Sequence, residues 1–462
     1  MTDDQGDLTM DHLEGRSPAD IERSAWDHTL FPLTPTAELR ETGPRIWASG
    51  EGVRVTDIHG RIYLDMMSAT TRANTLGYGN AEVADAVSAQ LRTMHYGGTV
   101  SNLSIPTVEL TATIAELAPG DLNRVVLTSG GSESVETALK LARQYQHASG
   151  NKPRAYKVIS RWNAYHGATA GALSVTDWLG VRHPNEPGVP GVSFIPGPTS
   201  YRNPFGMEPE AYEEHCATYL EQQILHEGPD LVAAFIAEPI MQAHGVQIAS
   251  PAYLQRVRDI CTRHGVLWID DEVITGFGRA GAWFAVERAG VAPDIMTMAK
   301  GISAGYMPLG ACVTTDAVAD ALPVFAHVHT FSGHAAACAA ANAVVAIKRR
   351  GALVQKASDN GDYLLDGLRE LLEPMPLVGQ VRGVGMWHAV DFTSDHRTKA
   401  PLGREHVQAI AHRAFAKGVI VSAIGDAVEI APPLITSRAD LDHTVRILAD
   451  AIREITAERG LA

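Results

Sequence analysis

VLWIDDEVITGFGRAGAWF, Val266 to Phe284, is the stretch on which the fold turns. An apolar run of the kind that forms a buried strand ends in three acids, Asp270, Asp271 and Glu272. A glycine-broken loop carrying Arg279 follows at once. Burying an ionised carboxylate is costly unless a cation or several donors meet it. Side chains alternate along a strand, so Asp270 and Asp271 point to opposite faces. The stretch predicts a core strand whose tip offers one of these acids to something cationic.

Working outward, short β-branched runs alternate with helical stretches from Arg124 to about Val313. VVLTSG, AYKVISRW, VSFIPG, LVAAFIAEP, VLWIDDEV and LGACVT read as strands, with SESVETALKLARQYQHA and PAYLQRVRDICTRHG as helices between some of them. This is the βαβ pattern of an α/β fold with a mostly parallel sheet. GVRVTDIHGRIYLDM predicts a hairpin turning at His59-Gly60. AAACAAANAVVAIKRR, after His334, predicts a helix leading out of the large domain. VRGVGMWHAVDF, GVIVSAI and AVEIAP read as short strands of a smaller α/β domain. The expected division is 1–60 as an N-terminal arm and a segment joining the small domain, 61–335 as the large domain, and 336–462 as the small one. Residues 1 to about 22 read as a mobile arm.

At 462 residues the chain suits two unequal domains. A formal net charge of −15 argues against a nucleic-acid partner. Four scattered cysteines have neither paired nor metal-like spacing, so no metal is expected. They fit reduced thiols in the cytoplasm. The polar N-terminus is no secretory signal, and no apolar run has the length of a membrane span.

Three further stretches carry chemistry. In TSGGSESVETALK a strand gives way to two glycines, Gly130 and Gly131, and Ser132 opens a helix. A helix N-terminus with unpaired N–H groups is a phosphate cradle, and a plain serine cap is the bland alternative. In SRWNAYHGATAGALS, Tyr165 lies where an aromatic could cover a planar ligand, with His166 beside it; a core tyrosine and a capping histidine are the alternative. In TMAKGISAGYMPLG, Lys300 follows an apolar run. A desolvated lysine attacks carbonyls as the free amine, although one that reaches to solvent is the commoner case. An anion cradle, an aromatic plate, a nucleophilic amine and a buried acid together match pyridoxal 5'-phosphate (PLP).

VVLTSGGSESVETALKLAR, SRWNAYHGAT, AFIAEPI, IDDEVITGFGRAG, AKGISAGYMPLGA, HTFSGHAAACAAA and APPLIT resemble the class III aminotransferases of the fold-type I PLP enzymes, most of all their ω-transaminase (amine:pyruvate) branch. The likeness runs from about Trp26 to Ile435, with Lys300 lying 29 residues after Asp271 as in that branch. It implies a large PLP-binding domain and a homodimer with shared active sites, or a tetramer of such dimers. Lys300 would hold PLP as a Schiff base and shuttle the proton. Asp271 would pair the pyridine nitrogen. Val273 and Tyr165 would flank the ring, and Gly130, Gly131 and Ser132 would take the phosphate. Thr330 would reach the neighbouring subunit's phosphate, Glu238 would support the phenolic oxygen, and His166 and Arg279 would assist.

Two positions depart from the branch. Where it usually has a carboxylate-gripping arginine, VSAIGDAVEIAPP has Ser422; where it usually has a pocket tryptophan, SATTRANTLGYGN has Arg72. Either recognition of an anionic or hydroxylated substrate group has moved to Arg72, or Arg72 faces solvent or pairs with an acid. The resemblance implies transfer of an amino group from a primary amine, of the ω-amine or amino-sugar type, to a keto acid or carbonyl acceptor. An aminoglycoside-type aminotransferase, a mutase, epimerase or decarboxylase of the same fold, and a non-catalytic binding protein are the alternatives.

Overall fold

A computed structural model describes residues 16–199, 201–243 and 245–461. Its central sheet has seven strands, in the order Leu122–Thr128, Gly310–Thr315, Ile295–Met298, Leu267–Asp271, Val232–Ala237, Lys157–Arg161, Val192–Ile195. Gly310–Thr315 runs antiparallel to both of its neighbours, and the remaining pairs are parallel. All six expected strands of this region are present. The seventh, Ile295–Met298, escaped the sequence reading because IMTM is short and rich in methionine. All five residues of Leu267–Asp271 are buried, acids included. Helices Gly131–Ala148 and Pro251–His264 form where expected.

The hairpin is formed by Arg54–Asp57 and Ile62–Asp65, with the Asp57 carboxylate accepting from the His59 and Arg61 N–H groups. Ile62–Asp65 pairs on its other side, in parallel, with Val419–Ile420. The expected boundary at residue 60 therefore falls inside a hairpin whose second strand joins chain from near the C-terminus. GVIVSAI divides in two: Val419–Ile420 enters this sheet, and Ser422–Ile424 pairs with Ala427–Ile430 in another. Helix Ala335–Arg350 packs on Ala81–Thr93 and Ile105–Leu117. Of the expected mobile arm, residues 1–15 lie outside the described residues, and Pro18–His28 is helical. Ser17 caps it, and Asp20 returns the bond to complete a capping box. Among the described residues no helix is long and apolar enough to cross a membrane.

One close approach ties the C-terminal part to the loop after the acid-tipped strand. Gly361, inside helix Leu353–Leu372, lies against Gly385, and a Cβ on Gly361 would sit 2.0 Å from the Gly385 carbonyl oxygen. A Cβ on Gly385 would in turn meet the Arg279 carbonyl oxygen at 2.5 Å. Gly→Ala inside a helix ordinarily stabilises by about 0.5–1 kcal/mol. Here the steric term is larger and of opposite sign, about 1–3 kcal/mol for overpacking. Gly361→Ala should lower the thermal midpoint by a few degrees in a denaturation scan; a rise would contradict the backbone stacking.

Candidate active site

The parallel strands converge at their carboxyl ends, where open α/β sheets bind ligands. Glu238 follows Val232–Ala237, Asp271 ends its strand, and Lys300 follows Ile295–Met298. A cavity opens there, lined by Gly131, Ser132, Tyr165, His166, Glu238, Asp271, Val273 and Lys300. Eight residues named from sequence thus meet in one cavity.

Asp271 is buried and well supplied with donors. Its Oδ2 lies 2.7 Å from His166 Nδ1, and its Oδ1 accepts from Thr297 Oγ1 and from the Val273 N–H, each at 3.1 Å. Parallel pairing sets Thr297 opposite Asp271. Asp270 has the reverse environment: fully buried, with no N–H or hydroxyl donor and only the acid Glu272 within hydrogen-bonding reach. Burial, then Glu272 and Asp271, push its carboxyl well above the usual range. Glu272, on the same side of the strand, is raised to about 7 by burial, against donation from Thr275 and the Val286 N–H.

Glu238 accepts from the Tyr165 N–H at 3.1 Å and from Arg161 at 3.2 Å, and its carboxylate lies 3.7 Å from His166 Nε2. His166 therefore stands between two acids, more central than the supporting place its sequence suggested. The half-buried Tyr165 ring meets Trp178 edge-on at 5.7 Å.

Gly130 is the N-cap of helix Gly131–Ala148 and supplies no side-chain cap. Ser132 therefore lies inside the first turn, not at the cap, and its hydroxyl accepts from the Ala168 N–H at 3.1 Å. A Cβ on Gly130 would meet nothing within 4 Å, so the space before the helix is open. A Cβ on Gly131 would lie 2.8 Å from Val273 Cγ1, so the glycine there also lets Val273 pack close. An uncapped helix start bordering a cavity suits an anion.

Lys300 opens a short 3₁₀ turn with φ of 42°, a strained conformation for a residue with a Cβ. It lines the cavity. Burial and then the Arg72 charge lower its amine to about 8, against Asp271, Glu429 and Glu238.

Arg72 lies outside the eight, although its charge acts on both Lys300 and Tyr165. Its segment is strained, with positive φ at Ser68, Ala69, Thr70 and Arg72. Asp65 holds it by accepting from the Met67 and Ala69 N–H groups at 2.9 and 2.6 Å. The guanidinium grips fully buried Glu429 through Nε at 2.7 Å and through Nη2. The Trp387 indole N–H donates to the same carboxylate. With its amide oxygen turned inward, Gln242 accepts from Nη1 and Nη2 at 3.2 and 3.1 Å. Of the sequence alternatives for Arg72, the structure has it paired with an acid. Ser422 is the cross-strand partner of Glu429 and borders a separate groove with Thr70 and Arg404. Thr330 is exposed and outside the cavity, and its carbonyl accepts from the Tyr96 hydroxyl. Arg279 is fully buried, donating to the Met386 and Pro432 carbonyls at 2.7 and 2.5 Å and to Ser68 Oγ at 2.9 Å.

Glu429, Thr297, Gln242 and Trp387 were missed from sequence. Glu429 had a signal: a lone acid in the apolar run AVEIAP, the same kind of mark that singled out Asp271.

The donor set fits PLP. Three of the roughly four lone-pair sites of Asp271 are engaged, leaving room for one N–H from a ring in the cavity. The helix start is open to a phosphate.

Residues 39–452 match the model of the class-III aminotransferases, and the chain belongs to that family. It is a PLP-dependent aminotransferase. It is 35% identical to the putrescine–pyruvate aminotransferase of Pseudomonas aeruginosa, over 93% of this chain and 95% of that one. With the taurine–pyruvate aminotransferase of Bilophila wadsworthia the identity is 34%, over 90% and 94%. The crystal structure of a thermostable (S)-enantioselective ω-transaminase from Thermomicrobium roseum superposes with a TM-score of 0.91 at 37% identity, over 95% and 99%. An amine transaminase from an uncultivated Pseudomonas species, crystallised with PLP bound, gives 0.87 at 36%, over 93% and 98%.

A carboxyl raised by folding stabilises fully below its unfolded value, and that stability is lost as pH rises through the folded value. Asp270→Asn mimics the neutral acid. It should therefore flatten the decline in thermal midpoint as pH rises above the ordinary carboxylate range, relative to the parent chain. Equal declines would show that Asp270 ionises without penalty.

Proposed function

We propose that the enzyme moves an amino group from a primary amine that carries no carboxylate, of the ω-amine or amino-sugar type, to a keto acid or carbonyl acceptor. Lys300 is the nucleophile and the proton carrier, and Asp271 pairs with the pyridine nitrogen. Gly130, Gly131 and Ser132 hold the phosphate. Tyr165 and Val273 face the ring, and Glu238 and His166 orient its polar substituents. Bound there, PLP supplies an electron sink for negative charge developing on the substrate carbon. Lys300 would take up the proton released from that carbon and hand it back as the amino group is transferred. Its lowered basicity supports this role, because a base working near its own pKa exists in both forms during turnover. His166, 2.7 Å from Asp271, keeps that acid oriented toward the ring.

The observation that carries the substrate class is the engaged fork of Arg72, held by Glu429 and Gln242. A donor carboxylate must displace Glu429 to reach it. Breaking a buried pair so that one charge stands alone costs about 3–5 kcal/mol. Ser422, the cross-strand neighbour of Glu429, offers no second guanidinium. Amines that bring no carboxylate avoid this cost, and an acceptor carboxylate gains Arg72 only by exchange. That relatives act on putrescine and taurine is compatible with such donors.

The chain works as a homodimer in the cytoplasm, with Thr330 reaching the phosphate bound by the second copy. Exposed Val324, Val328 and Phe331 flank Thr330, and Val100, Leu103 and Ile105 are exposed as well. Apolar exposure on this scale suits a partner surface. The four cysteines are free and buried, as suits a reducing compartment.

Lys300→Ala should abolish turnover of 1-phenylethylamine with pyruvate, with residual activity at least about 10³-fold down; undiminished turnover would end the proposal. In the apoenzyme, the rate of PLP capture should rise about tenfold per pH unit and level off above about 8, since only the free amine attacks. Glu429→Gln releases Arg72 from its counter-charge. It should raise kcat/KM for β-alanine relative to 1-phenylethylamine by about tenfold, roughly the worth of one charge-assisted bond. An unchanged ratio would remove the pair from substrate selection.

A further inference from the structure

Helix Ala335–Arg350 ends in three basic residues that behave differently. Arg349 and Arg350 reach Glu116 and Glu82 at 3.0 and 2.6 Å. Lys348 turns inward and is fully buried. Its Nζ donates to the Gly301 carbonyl at 2.7 Å and to the Phe277 carbonyl at 2.8 Å, and lies 5.7 Å from the Phe277 ring centre. These carbonyls belong to the two segments that carry the reacting groups. Gly301 follows Lys300, and Phe277 stands in the loop that continues from Asp271. Both loops are strained, with φ of 42° at Lys300 and 59° at Phe277. They also pack backbone to backbone: a Cβ on Gly301 would lie 3.0 Å from the Gly276 carbonyl oxygen and 3.2 Å from Phe277 Cβ.

Strained backbone persists only where its surroundings hold it. An amine in a dry interior, donating to two carbonyls, supplies such a hold because neither carbonyl has water to turn to. Burial and the Arg279 charge both disfavour the ammonium form of Lys348, so a buried lysine here is costly for stability alone. An apolar side chain would fill the same position more cheaply, at the price of releasing both carbonyls.

We propose that Lys348 is a positioning residue that ties the backbone presenting Lys300 to the loop leaving Asp271, and so fixes the amine against the acid. This rests on the roles given above to Lys300 and Asp271. Lys348→Met keeps the length and removes the donors. In the PLP-loaded enzyme it should lower kcat about tenfold or more with donor KM within about threefold, because small misplacements of a reacting group act on the chemical step. The pH midpoint of the visible absorbance of the lysine-bound cofactor should shift as well. Lys348→Gln, with one amide donor group, should recover part of both, and it carries the test by itself if the methionine variant does not fold. A lower thermal midpoint with unchanged kcat and unchanged absorbance midpoint would make Lys348 merely structural and overturn the proposal. That outcome differs from failure of the Lys300 assignment, which only activity in Lys300→Ala reveals.

Discussion

The site depends on how one carboxylate is solvated by protein. Asp270 and Asp271 are adjacent on one buried strand, yet three donors meet Asp271 and none meets Asp270. The difference is the two-residue period of the strand. One face looks along the sheet edge toward His166 and the cavity, the other into a core that offers only Glu272 and the Arg161 charge. A carboxylate with donors on three sides and one open lone pair is fit to meet a ring N–H. A carboxyl without donors is better neutral. The same chemical group, displaced by one residue, is useful in one case and a burden in the other.

Position in the sheet supplies the rest. Because Ile295–Met298 and Val232–Ala237 lie parallel on either side of Leu267–Asp271, the residues that follow all three strands leave at one edge. Lys300, Glu238 and Asp271 are thereby neighbours across long sequence gaps. Arg279 extends the arrangement by donating to Met386, Pro432 and Ser68, which binds the loop after Asp271 to the C-terminal part and to the strained segment bearing Arg72. The backbone stack of Gly361, Gly385 and Arg279 serves the same connection by shape.

The features legible in the sequence were those whose cause is local. The strand ending in acids, the glycines before a helix, and a lysine after an apolar run each announce themselves within a few residues. Pairings between distant segments were not legible. Glu429 stands in a run as apolar as the one before Asp271, but its meaning depends on Arg72, which is 357 residues away. Ser422 read as a lost arginine; cross-strand pairing with Glu429 makes it the neighbour of an acid whose cation arrives from another segment. Lys348 was hidden by composition, since three basic residues at a helix end suggest favourable charge at its C-terminus and only packing turns one of them inward.

Arg72 and Glu429 explain each other physically. A glutamate at position 429 without Arg72 would be a fully buried acid with the Trp387 indole as its remaining donor. An arginine at position 72 without Glu429 would place an unpaired charge beside Lys300 and lower that amine further. Together they act on the nucleophile in opposite directions, Glu429 offsetting part of the Arg72 charge, while keeping a polar, hydrogen-bonded wall. The two residues therefore form one charge-paired unit. On the proposed assignment a substrate carboxylate meets the pair: a guanidinium obtained only by trading places with a carboxylate, and a carboxylate that any displaced arginine leaves behind.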